Sequence, residues 1–515
     1  MLYPIGIQNF EDLRRGGYVY IDKTEKIYDL FSTGKYYFLS RPRRFGKSLL
    51  VSTMEAYFEG KRELFEGLAM ERLEKDWSRY PVLHLDLSGK SYMTKQDLDE
   101  KLDSALKIWE TTYGVSNGFT VPDVRFEQII SSIYRQNGTQ VVILIDEYDK
   151  PIIDNLDNPE LQEYYRSTLQ GFYGVMKAKD ECIRFGFLTG VTKIGKLSVF
   201  SGLNNLRDIS LLSRYSDICG ISETDLHEYF PESVMELAEA NGLTEDECYR
   251  KLADMYDGYH FSRNSVGMYN PFSLLNTFAG QEFNDYWFET GTPTFLVKLL
   301  KQTGYDISRL SEDEVEIGTG EISGVNDYVN DPISVMYQSG YLTIKGYDGM
   351  FGVYRLGFPN MEVKQGFMKM LLNVYSPSPE QSGSVLVSKL YRAVTGGRPE
   401  DMMKILEALF ARANCQIQGD AEKDFQYAMY IIFELLGEYV QTEKQTSNGR
   451  IDILLQTKDY VYVMELKVDG TADEALEQIE EKGYAKPFSA DPRKLYKIGV
   501  CFSSSTRRIE EWKVV

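Results

Sequence analysis

The chain is predicted to be an α/β protein: a doubly wound parallel sheet with a phosphate-binding loop, a helical lid and mixed middle region, and a second α/β domain. Three observations predict it. Residues 36–50, YYFLSRPRRFGKSLL, read as a buried strand, a tight loop and a helix opening near Gly46. Residues 140–147, QVVILIDE, form a continuous apolar run closed by two acids. Such a run suits a strand covered on both faces, as in a central parallel sheet. Residues 450–455 and 460–467 read as neighbouring strands that carry charges inside apolar runs.

Bulk properties bound the answer. At 515 residues the length suggests about three domains. The net charge of −20 excludes nucleic-acid binding by bulk charge, so any such contact needs local basic surface. Five cysteines stand far apart without a CxxC pair, and with three histidines a zinc site is not expected. Cys182 and Cys501 sit in apolar runs as plain buried thiols. The first residues lack a signal-peptide pattern, and no stretch approaches the ~18 apolar residues of a membrane span. A cytoplasmic protein without membrane contact is expected.

The loop is the first site. The pattern G-x-x-x-x-G-K-[ST] converges backbone N–H groups on phosphate, uses the anion-favouring helix N-terminus, sends Lys to the terminal phosphates and gives Mg²⁺ a hydroxyl. Gly46, Lys47 and Ser48 fit it, while Arg41 replaces the first glycine. Arg44, Phe45, Gly46, Lys47, Ser48 and Leu49 are the expected nucleotide contacts, with Arg41, Arg43 and Arg44 adding positive charge beside the phosphates. The strand at 140–147 would bring Asp146 to Mg²⁺ through water and Glu147 to the attacking water. Together these are the logic of a P-loop ATPase.

The remaining elements follow in order. A short strand and a helix N-cap at Asp22 precede the loop. Helices are predicted over 48–60, 95–113, 124–136 and 159–179, and a strand over 81–88, where His84 is a satisfied structural histidine. The strand at 182–189 ends in Thr189, a candidate γ-phosphate sensor, with Thr192 second; the competing reading is two threonines in a Gly-containing turn. Arg207 and Arg214 read as surface or salt-bridged arginines, with an arginine finger the alternative. Residues 221–301 carry apolar residues at helical spacing, as a lid packed on the core would. A helix end and hairpin at 334–359 suggest a winged-helix-like feature.

The second site lies at the end of the chain. Asp452 sits in one strand, and Glu465 and Lys467 stand two positions apart in the next, on one face. Glu422 precedes a helix upstream, with Glu434 the alternative, and Gln478 lies in the helix that follows. Two carboxylates to hold Mg²⁺, Asp452 and Glu465, and a lysine beside the attacked phosphate are the parts of a metal-dependent nuclease. Burying such charges is costly unless they act; a surface pair on an edge strand is the competing reading. Acidic residues outnumber basic ones over 411–515, and Arg493, Lys494, Lys497, Arg507 and Arg508 are the candidate basic flank.

The runs YIDKT, FLSRPRRFGKSLL, ILIDEYDKP, YDGYHFS, YNPFS and YWFETGTPTFL resemble the AAA-ATPase-like proteins of gut bacteria, and the tail resembles the PD-(D/E)XK nuclease domain that ends them. In that family the loop is itself RPRRFGKS-like. The resemblance implies ATP and Mg²⁺ as cofactors. It aligns Lys47, Ser48, Asp146 and Glu147 with the nucleotide-site motifs. It aligns Asp452, Glu465 and Lys467 with the nuclease motif, flanked by Glu422 and Gln478. The chain is expected to divide into an AAA-ATPase-like domain (1–220), a helical lid (221–330), a mixed, winged-helix-like region (331–410) and a nuclease-like domain (411–515). The expected function is an ATPase coupled to a Mg²⁺-dependent nuclease, with nucleic acid as partner and oligomerisation through the ATPase domain. The alternatives are a signalling or scaffold ATPase whose nuclease-like domain only binds a partner, and an Arg-rich loop that binds an anion other than ATP.

Overall fold

The computed structural model describes the chain outside residues 116–117, 157, 194–198, 201–202, 204, 290–295, 297–298, 301–302, 306, 308–309, 311–314, 324–331, 376–382, 413–428, 433, 437–440, 444–452 and 507. Two compact units are present. The first contains Met1–Tyr305 and Glu312–Val363, and the second Asp306–Ser311 and Lys364–Val515.

The first unit is built on five parallel strands, β1 (Tyr36–Ser40), β2 (Val82–Asp86), β3 (Val141–Asp146), β4 (Ile183–Gly190) and β5 (Arg207–Asp208). Their order is β2-β3-β4-β1-β5, so β4 lies between the loop strand and the acid-tipped strand. Every residue of β1 and β3 is buried, the physical outcome of runs with no polar alternation. Helices α1 (Phe10–Arg15), α2 (Thr24–Thr33), α3 (Lys47–Phe58), α4 (Ala69–Leu73), α5 (Lys95–Thr112), α6 (Pro122–Asn137), α7 (Lys150–Ile153) and α8 (Pro159–Ala178) accompany the sheet. His84 bonds Glu55 through Nδ1 at 3.0 Å, while its buried Nε2 has no partner among the described residues, so the histidine expected to be satisfied is satisfied on one nitrogen.

The entry segment differs from expectation. Residues 18–23 form no strand, and Val19 and Ile21 pack instead on a helical cluster. Asp22 does not cap α2, which opens after Lys23. One Asp22 oxygen accepts the Thr24 backbone N–H and hydroxyl, and the other accepts the Ala69 N–H.

The helices expected after residue 221 are Glu223–Tyr229, Pro231–Asn241, Glu245–Tyr256 and Pro271–Gly280, and they share one core with Tyr3, Val19 and Ile21. β6 (Ile221–Ser222), ahead of the first of them, pairs with β7 (Met268–Tyr269), ahead of the last. The helix Pro332–Ser339 leads into a hairpin of β9 (Thr343–Asp348) and β10 (Val353–Gly357), joined by β8 (Val315–Gly318) in the antiparallel order β8-β10-β9. This is the helix-and-hairpin arrangement predicted there.

The second unit holds the sheet β11 (Gln441–Glu443), β12 (Ile453–Gln456), β13 (Tyr460–Val468), β14 (Lys494–Ser503) and β15 (Arg508–Val514). Only β13 and β14 pair in parallel, linked by the helix Ala472–Lys482. That helix approaches Gly499 of β14 so closely that a Cβ there would meet the Ala472 carbonyl at 2.1 Å, which only glycine avoids.

Candidate functional sites

The loop between β1 and α3 closes on itself. Gly46 takes φ +86°, a left-handed conformation open to glycine at little cost, and its missing side chain leaves the first N–H groups of α3 uncapped. Lys47 is buried, and its Nζ donates to the Arg41 and Pro42 carbonyls at 3.0 and 3.1 Å. A cavity of about 400 Å³ opens in front. That volume falls in the range of small-ligand sites. Arg43, Arg44, Lys47 and Lys150 line it with one acid, Glu147. Arg44 (φ +67°) and Glu147 (φ +51°) are both non-glycine residues in the left-handed region. Each such residue costs about 1–3 kcal/mol, and such strain concentrates at ligand sites.

Most of the predicted loop residues meet here, because Arg44, Gly46, Lys47, Ser48, Leu49 and Glu147 all line this cavity. Phe45 does not. Its ring turns into the core against Tyr259 and Phe261. Asp146 and Thr189 are buried and, unlike Glu147, do not line the cavity, and the Thr189 hydroxyl donates to Asp146 at 3.3 Å. Thr192 serves another acid: its N–H and hydroxyl both donate to Asp149, which is 1% exposed. Burial and the neighbouring acids Asp149 and Asp146 push the Glu147 carboxyl above its ordinary range, while Lys47 opposes them.

Arg41 contradicts the expectation that it adds charge beside the phosphates. It is 1% exposed and turned away. Its guanidinium donates to the carbonyls of Ser40, Ser210 and Tyr215 at 2.9–3.0 Å and lies over the Phe261 ring. The arginine replaces a loop glycine because it staples the loop to the segment after β5. Arg41→Gly, which restores the general pattern, is therefore expected to destabilise the first unit by about 2–4 kcal/mol, since three carbonyls lose a charged partner. Urea denaturation followed by tryptophan fluorescence measures this. Arg214 pairs with Asp29, as a salt-bridged arginine, and Arg207 is exposed on β5.

Sequence reasoning missed the far wall. Pro4–Gln8 and Pro271, Phe272 and Leu275 line the same cavity, and the Phe272 ring lies 4.7 Å from the Arg44 guanidinium. No local motif marks them. The folding of the first residues onto the helical cluster brings them in.

In the second unit, Glu465 on β13 is 3% exposed. Its Oε1 accepts from Gln478 Nε2, while Gln478 Oε1 accepts from Lys467 Nζ. Lys467 Nζ stands 3.7 Å from Glu465. The three predicted residues thus form one relay across strand and helix. Asp452 and Glu422 lie outside the described residues. The alternative Glu434 pairs with Lys364 at 3.7 Å. Among the described residues no group of three His, Cys, Asp or Glu could hold a metal. The hard carboxylate of Glu465 nonetheless suits a hard divalent cation once a second acid joins it. Along the expected basic flank, Arg493 pairs with Asp491, Lys497 with Glu480, and Lys494 lies over Tyr496.

Comparison with known proteins matches these two regions separately. Residues 4–200 match a family described as "Predicted AAA-ATPase", and residues 420–512 match the PD-(D/E)XK nuclease superfamily. A protein of Azotobacter chroococcum mcd 1, named "Uncharacterized protein in vnfD 5'region", is 39% identical over 520 residues, covering 98% of this chain and 97% of its own. The chain belongs to the predicted AAA-ATPase family, and carries a C-terminal PD-(D/E)XK nuclease superfamily domain. In this AAA-ATPase-like chain the matched regions contain both constellations, the loop with its acid-tipped strand and the Glu465–Gln478–Lys467 relay. Among the described residues no helix is long and apolar enough to cross a membrane.

Proposed function

We propose that the chain is an ATP-binding P-loop ATPase coupled to a Mg²⁺-dependent nuclease that cuts nucleic-acid phosphodiesters. The observation that carries this reading is the charge of the loop cavity: four cationic side chains at an uncapped helix N-terminus, in a chain of net charge −20. A polyphosphate is the ligand such a site suits. Lys47 leaves its loop carbonyls to take the terminal phosphates. Arg43 and Arg44 neutralise the chain of charge. Ser48 directly and Asp146 through water would hold the nucleotide's Mg²⁺, and Thr189 donates to Asp146. Glu147, at the cavity wall, orients the attacking water.

Replacing Glu147 with Gln is expected to lower ATP turnover by about 10²–10³-fold while leaving ATP affinity within about threefold, because the group acts on the water and not on the phosphates. Phosphate release against nucleotide-binding titration separates the two effects, and equal losses in both contradict the role.

In the C-terminal domain Asp452 and Glu465 would hold Mg²⁺, which when bound supplies Lewis acidity and a water of lowered pKa. Lys467 places its ammonium where the attacked phosphate gains charge, and Gln478 holds Lys467 and Glu465 in mutual register. The paired cations of Arg493 and Lys497 favour a second reading, in which this domain docks a partner and cuts nothing. Full-length protein that releases phosphate from ATP but cuts neither DNA nor RNA with Mg²⁺ or Mn²⁺ would establish that second reading.

A further inference from the structure

One buried carboxylate in the first unit lies outside the ATPase mechanism. Glu362, in the first turn of the helix Met361–Tyr375, is fully buried. Its two oxygens accept from the Ser273 hydroxyl at 3.0 and 2.8 Å, and one also accepts the Trp287 backbone N–H at 2.8 Å. Those two partners belong to segments that reach adjacent residues of the phosphate loop, Arg43 and Arg44. Ser273 follows Phe272 in the lid helix Pro271–Gly280, and Phe272 faces the cavity beneath Arg44. The Trp287 indole N–H donates to the Arg43 carbonyl at 3.3 Å, and its ring packs on Tyr341 at 5.0 Å. A single carboxyl group therefore ties together the segments that touch the two consecutive arginines of the loop.

We propose that Glu362 is a positioning residue of the nucleotide site, holding the lid helix through Ser273 and the Arg43 carbonyl through Trp287 so that Arg43 and Arg44 face the phosphates. The inference rests on the ATP-binding reading of the cavity. Glu362 touches no part of the ligand; its effect passes through the placement of the arginines and of Phe272. Burial, reinforced by Asp285, pushes the Glu362 carboxyl up to about 8, so it is mostly uncharged at neutral pH. Glutamine then reproduces its shape, its charge state and an acceptor for Trp287, whereas alanine removes the shape and the acceptor.

The test uses the full chain and three variants, Glu362→Ala, Glu362→Gln and Ser273→Ala. ATP affinity is titrated with a fluorescent ATP analogue, and KM and kcat come from phosphate release. Glu362→Ala is expected to raise Kd and KM for ATP roughly tenfold with kcat within about threefold, since the lost contacts position groups for ground-state binding. Ser273→Ala moves the same way by a smaller factor, and Glu362→Gln returns close to the wild type. A purely structural glutamate would lower the melting temperature and leave KM in place. If Glu362→Ala does not fold, Ser273→Ala decides, because it deletes one hydroxyl. Wild-type protein that binds no nucleotide overturns the cavity reading and this inference together. A wild type that binds, with KM unchanged in every folded alanine variant, overturns this inference alone.

Discussion

Lys47→Ala is expected to weaken ATP binding by roughly 10²-fold or more and to abolish phosphate release. Its ammonium is the most deeply placed cation of the cavity and already rests on two loop carbonyls at 3.0 and 3.1 Å. In the proposed function those carbonyls are the contacts it exchanges for phosphate oxygens. A charge-assisted bond of this kind contributes about 1.5–3 kcal/mol, and each 1.4 kcal/mol is tenfold in affinity. Removal also leaves the Arg41 and Pro42 carbonyls facing an empty space, so folding must be followed alongside binding. Circular dichroism melts report the fold, and isothermal titration with ATP reports the site. A folded variant with wild-type affinity would remove Lys47 from the site.

Glu465→Gln is the second large effect. The carboxylate stands buried on β13 with Gln478 on one oxygen and Lys467 at 3.7 Å. Glutamine keeps the volume and an acceptor, so the sheet persists. It removes the negative charge that a divalent cation requires, and that metal chemistry is worth several kcal/mol. Strand cutting should fall at least about a thousandfold at 1.36 kcal/mol per tenfold. ATP hydrolysis should stay at the wild-type rate, because the residue belongs to the second compact unit and not to the loop cavity. Cutting that persists in Glu465→Gln would assign this activity to other residues. Equal loss of cutting and of ATP hydrolysis would mean the substitution acts through folding.

Much of this architecture was legible in the sequence where chemistry and period coincide. The apolar runs at β3 and β4 read as buried strands and are buried parallel strands of the sheet, and of the two acids that close β3 it is Glu147 that lines the cavity while Asp146 is buried. Glu465 and Lys467 declared themselves by interrupting an apolar strand on a single face, and Gln478 by standing in the next helix. What sequence reasoning lost are contacts made across long separations. Arg41 looked like a missing glycine with surplus charge, yet its partners Ser210 and Tyr215 lie about 170 residues further along. Residues 18–23 have strand-like alternation, but among the described residues they pair with no strand, and Val19 and Ile21 pack on the helical cluster instead. Glu362 reads as one more acid on an amphipathic helix. Its burial depends on Ser273 and Trp287, which are far away in sequence and carry no pattern that names them.

The central claim is that nucleotide at the loop governs cutting at the C-terminal relay. One experiment tests it: wild type, Lys47→Ala and Glu465→Gln are each incubated with Mg²⁺ and single- and double-stranded DNA and RNA, with and without ATP, following phosphate release and strand cutting in the same tube. The account predicts both activities in the wild type, neither in Lys47→Ala, and phosphate release without cutting in Glu465→Gln. A wild type that cuts equally well without ATP, or that releases no phosphate, would contradict it.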